Sequence, residues 1–260
     1  MRRVFLILLF VVMLVAPIFK SSLSGPAMAQ SSTSDPNIPG WNLIFDDEFN
    51  ETSLDKSHYQ EYWGPISASW FNGTNSLILQ DGLLRLKIDK QDVYQNGTTY
   101  HYTSGGFTQQ TSQSYGRWVV RARFPQGKGT QAYISLWRKD MSWPPEIDFA
   151  EVRGILPTEN VFSEHYSQGG QVLWNGFKLE NIDFTNQFHE YTVDWQPGTV
   201  TWYVDGVQKY STTQNFDTFP MMLAAGTLVG NCGDFADCPN GSNPFPTYLD
   251  IDYVRIYQKN

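Results

Sequence analysis

Apolar and polar residues alternate with a period of two along much of this chain. Leu84, Leu86 and Ile88 oppose Arg85 and Lys87, and Trp118, Val120, Ala122 and Phe124 oppose Arg117, Arg121 and Arg123. Tyr191, Val193 and Trp195 oppose Thr192 and Asp194, while Val200, Trp202 and Val204 lead into Asp205-Gly206, a hairpin turn signal. A last run extends from Tyr248 to Tyr257. A strand sends successive side chains to opposite faces, so this period marks half-buried strands. Pro125-Gln126-Gly127, Gln168-Gly169-Gly170 and Pro197-Gly198 separate them. No long segment keeps an apolar stripe at helical spacing. The pattern predicts an all-β fold, a two-sheet antiparallel β-sandwich.

The ends of the chain read differently. Arg2 and Arg3 precede an apolar run from Val4 to Phe19, and Ala27-Met28-Ala29 offers a small-x-small cleavage site. Residues 1–29 read as a secretory signal peptide, and the protein as secreted, with an uncleaved anchor as the alternative. The run is short for a membrane span, so no stable span is expected after processing. Residues 30–40 read as a disordered Ser/Pro/Asn-rich leader. No linker or internal repeat interrupts 41–260, which is expected to be one domain and a monomer. Cys232 and Cys238 are close enough in sequence to clamp a loop with a disulfide in an oxidising compartment. A net charge of −8 without a basic patch argues against nucleic acid as a partner. Aromatic residues make up 15% of the chain, with nine tryptophans. Part of that is sandwich core, but flat rings also suit the apolar faces of sugars.

One strand breaks the pattern. Trp143-Pro144-Pro145-Glu146-Ile147-Asp148-Phe149-Ala150-Glu151 places three acids among apolar neighbours. Glu146 and Asp148 share a face by parity, whereas Glu151 should point away. A β-bulge around Phe149-Ala150 would return Glu151 to that face. The backbone separation of Glu146 and Glu151 is then roughly 13 Å at about 3.3 Å per residue, a gap that two leaning side chains narrow. Two carboxyls flanking a substrate, one protonated and one ionised, are what glycoside hydrolysis requires. Asp148 between them would push their pKa values apart. A solvated strand face, a calcium site, or a salt-bridge network with Arg117, Arg121 or Arg123 would use the same acids. Spacing alone leaves nucleophile and acid undecided.

Glu146 to Glu151 resembles the active-site signature of glycoside hydrolase family 16, in the bulged form typical of laminarinase-like endo-β-1,3-glucanases. The likeness covers Trp41–Tyr257 in the family's order, from Trp41 to Phe49 at the opening strand to Asp252-Tyr253-Val254-Arg255-Ile256-Tyr257 at the end. It implies a β-jelly roll with a substrate cleft on the concave sheet and a retaining mechanism. By position it implies that Glu146 is the nucleophile, Asp148 its helper and Glu151 the general acid/base. It further implies substrate binding by Trp137 and Trp143, and a role for His165 near the acid/base. Trp174 and Trp70 lie in polar segments that read as cleft-edge loops. No catalytic cofactor is implied. A structural calcium is, held by Asp252, the backbone carbonyl at Gly82, and Glu48, with a salt bridge from Asp252 to an arginine as the alternative. By parity Asp252 falls on the same face as Val254 and Ile256.

Departures from the family pattern touch the substrate more than the chemistry. Phe149-Ala150 replaces the more usual Ile/Val-Met pair, Ser104-Gly105-Gly106-Phe107 stands where many members carry an arginine, and the Cys232–Cys238 loop is unusual. The expected activity is a secreted, retaining endo-hydrolysis of β-1,3-glucan, extending to mixed-linkage β-1,3-1,4-glucan. The alternatives are a galactan (agar- or carrageenan-type) hydrolase, a transglycosylase, and a non-catalytic carbohydrate-binding sandwich.

Overall fold

A computed structural model describes residues 36–213 and 218–260. The expected signal peptide lies outside the described residues. In chain order the strands are β1 (Trp41–Asp47), β2 (Tyr59–Glu61), β3 (Trp63–Ile66), β4 (Ser69–Asn72), β5 (Leu77–Gln80), β6 (Leu83–Ile88) and β7 (Val93–Gln95). There follow β8 (Thr98–Tyr100), β9 (Thr103–Ser104), β10 (Gly106–Gln113), β11 (Gly116–Arg123), β12 (Thr130–Arg138), β13 (Glu146–Arg153) and β14 (Glu159–Gln168). The last are β15 (Gln171–Glu180), β16 (His189–Gln196), β17 (Thr199–Val204), β18 (Val207–Thr212), β19 (Met221–Val229) and β20 (Thr247–Lys259).

Two sheets form the sandwich. One runs β18-β17-β16-β11-β20-β6-β5, with β1 paired to β20, and the other runs β15-β14-β13-β12-β19-β10-β2. Every pairing within them is antiparallel. The core lies between the two sheets and takes the apolar alternates that the sequence predicts: Leu84, Leu86, Trp118, Val120, Ala122, Tyr191, Val193, Trp202 and Val204. Trp118 and Trp202 are fully buried, so truncating either to alanine should cost about 3–5 kcal/mol. The β17–β18 hairpin turns on Asp205 and Gly206, both at positive φ, as the Asp-Gly signal requires.

One reading of the chain's periphery is corrected, and another is described only over residues 36–40. Ile38, within the expected disordered leader, packs with Trp41 and Leu43 against Val119, Tyr253 and Tyr257 on the outer face of the first sheet. Asp252 does not share a face with Val254 and Ile256. The β11–β20 register jumps from Arg121↔Tyr253 to Ala122↔Ile251, so Asp252 is an extra residue there. Ile251 and Val254 can then both reach the core while Asp252 turns outward to Arg121.

Candidate active site

The bulge expected in the acidic strand is present. Against β12, Asp148 pairs with Ser135 and Ala150 with Ile134, leaving Phe149 unpaired. Against β14, three steps from Asp148 to Glu151 answer two steps from Ser163 to Val161. Ile147, Phe149, Ala150 and Val152 all enter the core, and Glu146, Asp148 and Glu151 line one cleft on the outer face of the second sheet.

A bulge leaves backbone groups without their ladder partners. Here the fully buried Asn160 fills the gap, its Oδ1 accepting from the Glu151 backbone N–H at 2.8 Å. From the opposite sheet the Trp202 indole donates to the Asp148 carbonyl at 2.9 Å. These two bonds fix the backbone on either side of Phe149-Ala150, and so fix the spacing of the carboxyls. Asn160 belongs to the site's framework although nothing in its local sequence marks it.

The cleft encloses about 590 Å³ and is lined by Tyr62, Ile66, Gln131, Tyr133, Trp137, Met141, Trp143, Glu146, Asp148, Glu151, His165, Ala224 and Leu228. Strand pairing places Trp137 opposite Glu146 and Tyr133 opposite Glu151 on β12. Across from Tyr133 stands Gly226, where a Cβ would come within 2.5 Å of the tyrosine hydroxyl, so the ring fits only over glycine. Trp143 is held by a loop organised on Asp140, which accepts from Arg138 Nε at 2.9 Å and from Ser142 Oγ at 2.7 Å. The Arg138 guanidinium stacks at 3.5 Å on Phe219. From this loop the Trp143 indole donates to Glu146 Oε2 at 2.8 Å.

Electrostatics separates the three acids. Asp148 is buried and accepts from Ser163 Oγ at 2.5 Å, with His165 Nε2 at 3.6 Å. Burial, then the Asp148 charge, pushes Glu146 up to about 9, although the Trp143 indole favours its ionised form. Glu146 and Asp148 are also hydrogen-bonded to each other. The pair therefore keeps one proton through the neutral range and carries a single negative charge. Glu151 is pushed up to about 7 by burial and by Asp148, against the opposing pull of His165, Arg153 and the Gln131 amide. That amide donates to Glu151 Oε1 at 2.6 Å. Burial thus keeps a proton on Glu151 near neutrality, while the Glu146–Asp148 pair presents an anion.

Not every expected binding residue lies here. Trp137, Trp143 and His165 do, with the His165 ring 5.7 Å from that of Trp143. His165 pairs with Glu146 across the strands, so it stands at the nucleophile end of the site as well as within reach of Glu151. Trp174 is on edge strand β15 rather than in a loop, paired with His165 and 65% exposed. Trp70 is on β4, tilted against Tyr100 at 5.3 Å, and does not line the cleft. Cys232 and Cys238 are joined in a disulfide. Asp252 pairs with Arg121, and Glu48 with Arg255 at 2.5 Å, while Gly82 turns at positive φ beside Asn50. Both carboxylates are ion-paired to guanidinium groups, with Arg255 shared between Glu48 and Asp46, so the donors as they stand do not fit a cation.

A cleft across a β-sandwich, with paired glutamates of raised pKa beside an intervening aspartate and tryptophan walls, is built for cleaving glycosidic bonds; the protein is a glycoside hydrolase. The chain belongs to glycosyl hydrolases family 16, which it matches over residues 66–243. It is 32% identical over 270 residues to glucan endo-1,3-beta-glucosidase A1 of Niallia circulans, covering 87% of this chain but 39% of that protein. It is 40% identical over 222 residues to a beta-glucanase of Paenibacillus polymyxa, covering 80% of this chain and 83% of the relative. Its fold matches the catalytic domain of an endo-1,3-beta-glucanase (laminarinase) from Thermotoga petrophila RKU-1, with a TM-score of 0.75 and 24% identity over 85% of this chain and 98% of that one. Among the described residues no helix is long and apolar enough to cross a membrane.

Proposed function

We propose that the protein is a secreted endo-β-1,3-glucanase, acting also on mixed-linkage β-1,3-1,4-glucan, that retains anomeric configuration. The observation that carries this reading is the bulged β13, which aligns Glu146, Asp148 and Glu151 in a tryptophan-walled cleft. The names of the relatives support glucan as the substrate, and the apolar leader of residues 1–29 supports export. In the first step the Glu146 carboxylate attacks the anomeric carbon while Glu151 donates its proton to the departing glycosidic oxygen. In the second, Glu151 takes a proton from water, whose oxygen displaces Glu146. Asp148 hydrogen-bonds Glu146, and the one proton the pair shares leaves it a single negative charge for the attack. Trp137 and Trp143 take the sugar faces beside the cleaved bond. The enzyme works as a monomer without a catalytic cofactor.

The test is a panel of laminarin, lichenan, agarose and carrageenan, with product sizing and NMR of the first anomer released. Laminarin is expected to be cut internally to β-anomeric products, and Glu146→Gln is expected to abolish release of reducing ends while polysaccharide binding persists. Cleavage of agarose or carrageenan alone would move the reading to a galactan hydrolase, and an initial α-product would remove the retaining mechanism.

A further inference from the structure

The disulfide-clamped loop joins no catalytic group, yet it is tied to both sides of the cleft end where Glu151 stands. The floor there is Gln131 and Leu228, paired across β12 and β19, with Ile66 on the neighbouring hairpin. Two residues beyond Glu151, Arg153 lies on the same face, paired with Gln131. Over Arg153 sits Phe235, its ring 4.3 Å from the guanidinium and its carbonyl 3.4 Å from Nη1. Arg153 is itself anchored to Glu159.

The loop has little freedom to withdraw. Asp234 Oδ2 accepts from Ser67 Oγ at 3.0 Å and from Asn231 Nδ2 at 3.0 Å, which binds the loop to the β3–β4 hairpin just after Ile66. Lys128 Nζ meets Asp237 Oδ2 at 2.8 Å on the other flank. Gly129 is pressed so close that a Cβ would lie 2.2 Å from the Pro239 nitrogen. The disulfide closes the loop at its base. Despite these ties Phe235 remains 46% exposed. A ring fixed on one side by a guanidinium and left open on the other, continuous with a sugar cleft, is a preorganised stacking surface.

We infer that the cleft continues past Glu151 onto Arg153 and Phe235, and that the loop Asn231–Cys238 is a specificity element whose Phe235 takes a further pyranose ring of a bound glucan chain. The inference rests on the proposed glucanase function. A contact of this kind is worth a factor of roughly 3 to 10 in affinity.

The experiment measures kcat and KM on β-1,3-gluco-oligosaccharides of graded length and on laminarin, for wild type, Phe235→Ala, Phe235→Trp and the Cys232→Ser/Cys238→Ser double variant. Phe235→Ala is expected to raise KM by roughly 3- to 10-fold on the longest chains, by a factor that grows with length, with kcat nearly unchanged. Phe235→Trp is expected to restore wild-type KM, and the double variant to follow Phe235→Ala in direction. An equal loss at every length, or a loss in kcat alone, would assign the loop a structural role and overturn the proposal. Unchanged KM at all lengths in an active enzyme would overturn it as well, leaving the glucanase reading intact. A wild type inert on every glucan would overturn both.

Discussion

Gln131 offers a test in which removing a contact extends activity rather than diminishing it. Its amide donates to Glu151 Oε1 at 2.6 Å and so favours the ionised carboxylate. The first step needs Glu151 protonated, so activity is present below its pKa and lost as pH rises through it, at about 7. Gln131→Met keeps most of the volume and deletes the donor. A hydrogen bond to a charged group contributes about 1.5–3 kcal/mol, and the lower end applies because Glu151 opens onto the cleft. At 1.36 kcal/mol per unit, the Glu151 pKa should rise by roughly one unit. The assay is kcat/KM against pH on laminarin, which reports the free enzyme's essential groups. The basic limb is expected to move from about 7 to roughly 8, with a modest fall in the plateau as Glu151 loses some positioning. A limb that stays in place or moves down would refute Glu151 as the acid, or Gln131 as its tuning donor.

Three further outcomes follow from the same electrostatics. Trp143→Phe removes the 2.8 Å bond that favours ionised Glu146, so the acidic limb of kcat/KM should shift upward by about half a unit; an unmoved limb would separate the indole from the nucleophile's charge. Glu151→Gln should be more stable than wild type at pH 8 and equal to it at pH 4. The folded pKa of about 7 lies above the ordinary 4.5, so stability is lost as pH rises through that window; 2.5 units set an upper bound near 3 kcal/mol, and roughly 2 kcal/mol would raise Tm by about 4–8 °C in calorimetry. A Tm no higher at pH 8 would remove the burial argument. Finally, because Arg121 and Arg255 already pair with Asp252 and Glu48, a chelator should leave Tm within about a degree, and a rise of several degrees on adding calcium would show that these carboxylates leave their arginines for the ion.

The sandwich was legible because period-two alternation survives wherever one face of a strand is buried and the other is wet. Trp118, Val120 and Ala122 read inward on that ground alone, and they are in the core. The acidic strand was legible through a conflict of parity, since three acids on one strand share a face only with a bulge. The same logic applied without a bulge misplaced Asp252, whose extra residue in the β20 register carries no composition signal. Gln131, Asn160 and Ser163 were not legible at all. Each is an ordinary polar residue on a neighbouring strand, and its role arises from strand pairing across the sheet, which local sequence does not encode. Trp174 and Trp70 looked alike in sequence, and only the fold distinguishes a strand position paired with His165 from a ring tilted against Tyr100.

Crowding three carboxyls on one strand is costly to folding, and the surrounding contacts show how the cost is confined. The Asp148 side chain accepts from Ser163 and its carbonyl from Trp202, while Glu151 has its backbone N–H held by Asn160 and its carboxylate by Gln131. These bonds fix positions without supplying a full counter-charge to any acid, and among the described residues no lysine or arginine lines the cleft beside the three acids. Arg153, two residues along the same face, acts on Glu151 only as a secondary influence and is itself committed to Glu159. An arginine moved into direct contact would stabilise the fold, but it would also lower the pKa of Glu151 below the range in which it holds a proton for the leaving group. The unneutralised acids are therefore a local instability retained because the chemistry requires it, which is why their replacement by amides is expected to strengthen the fold and end the reaction together.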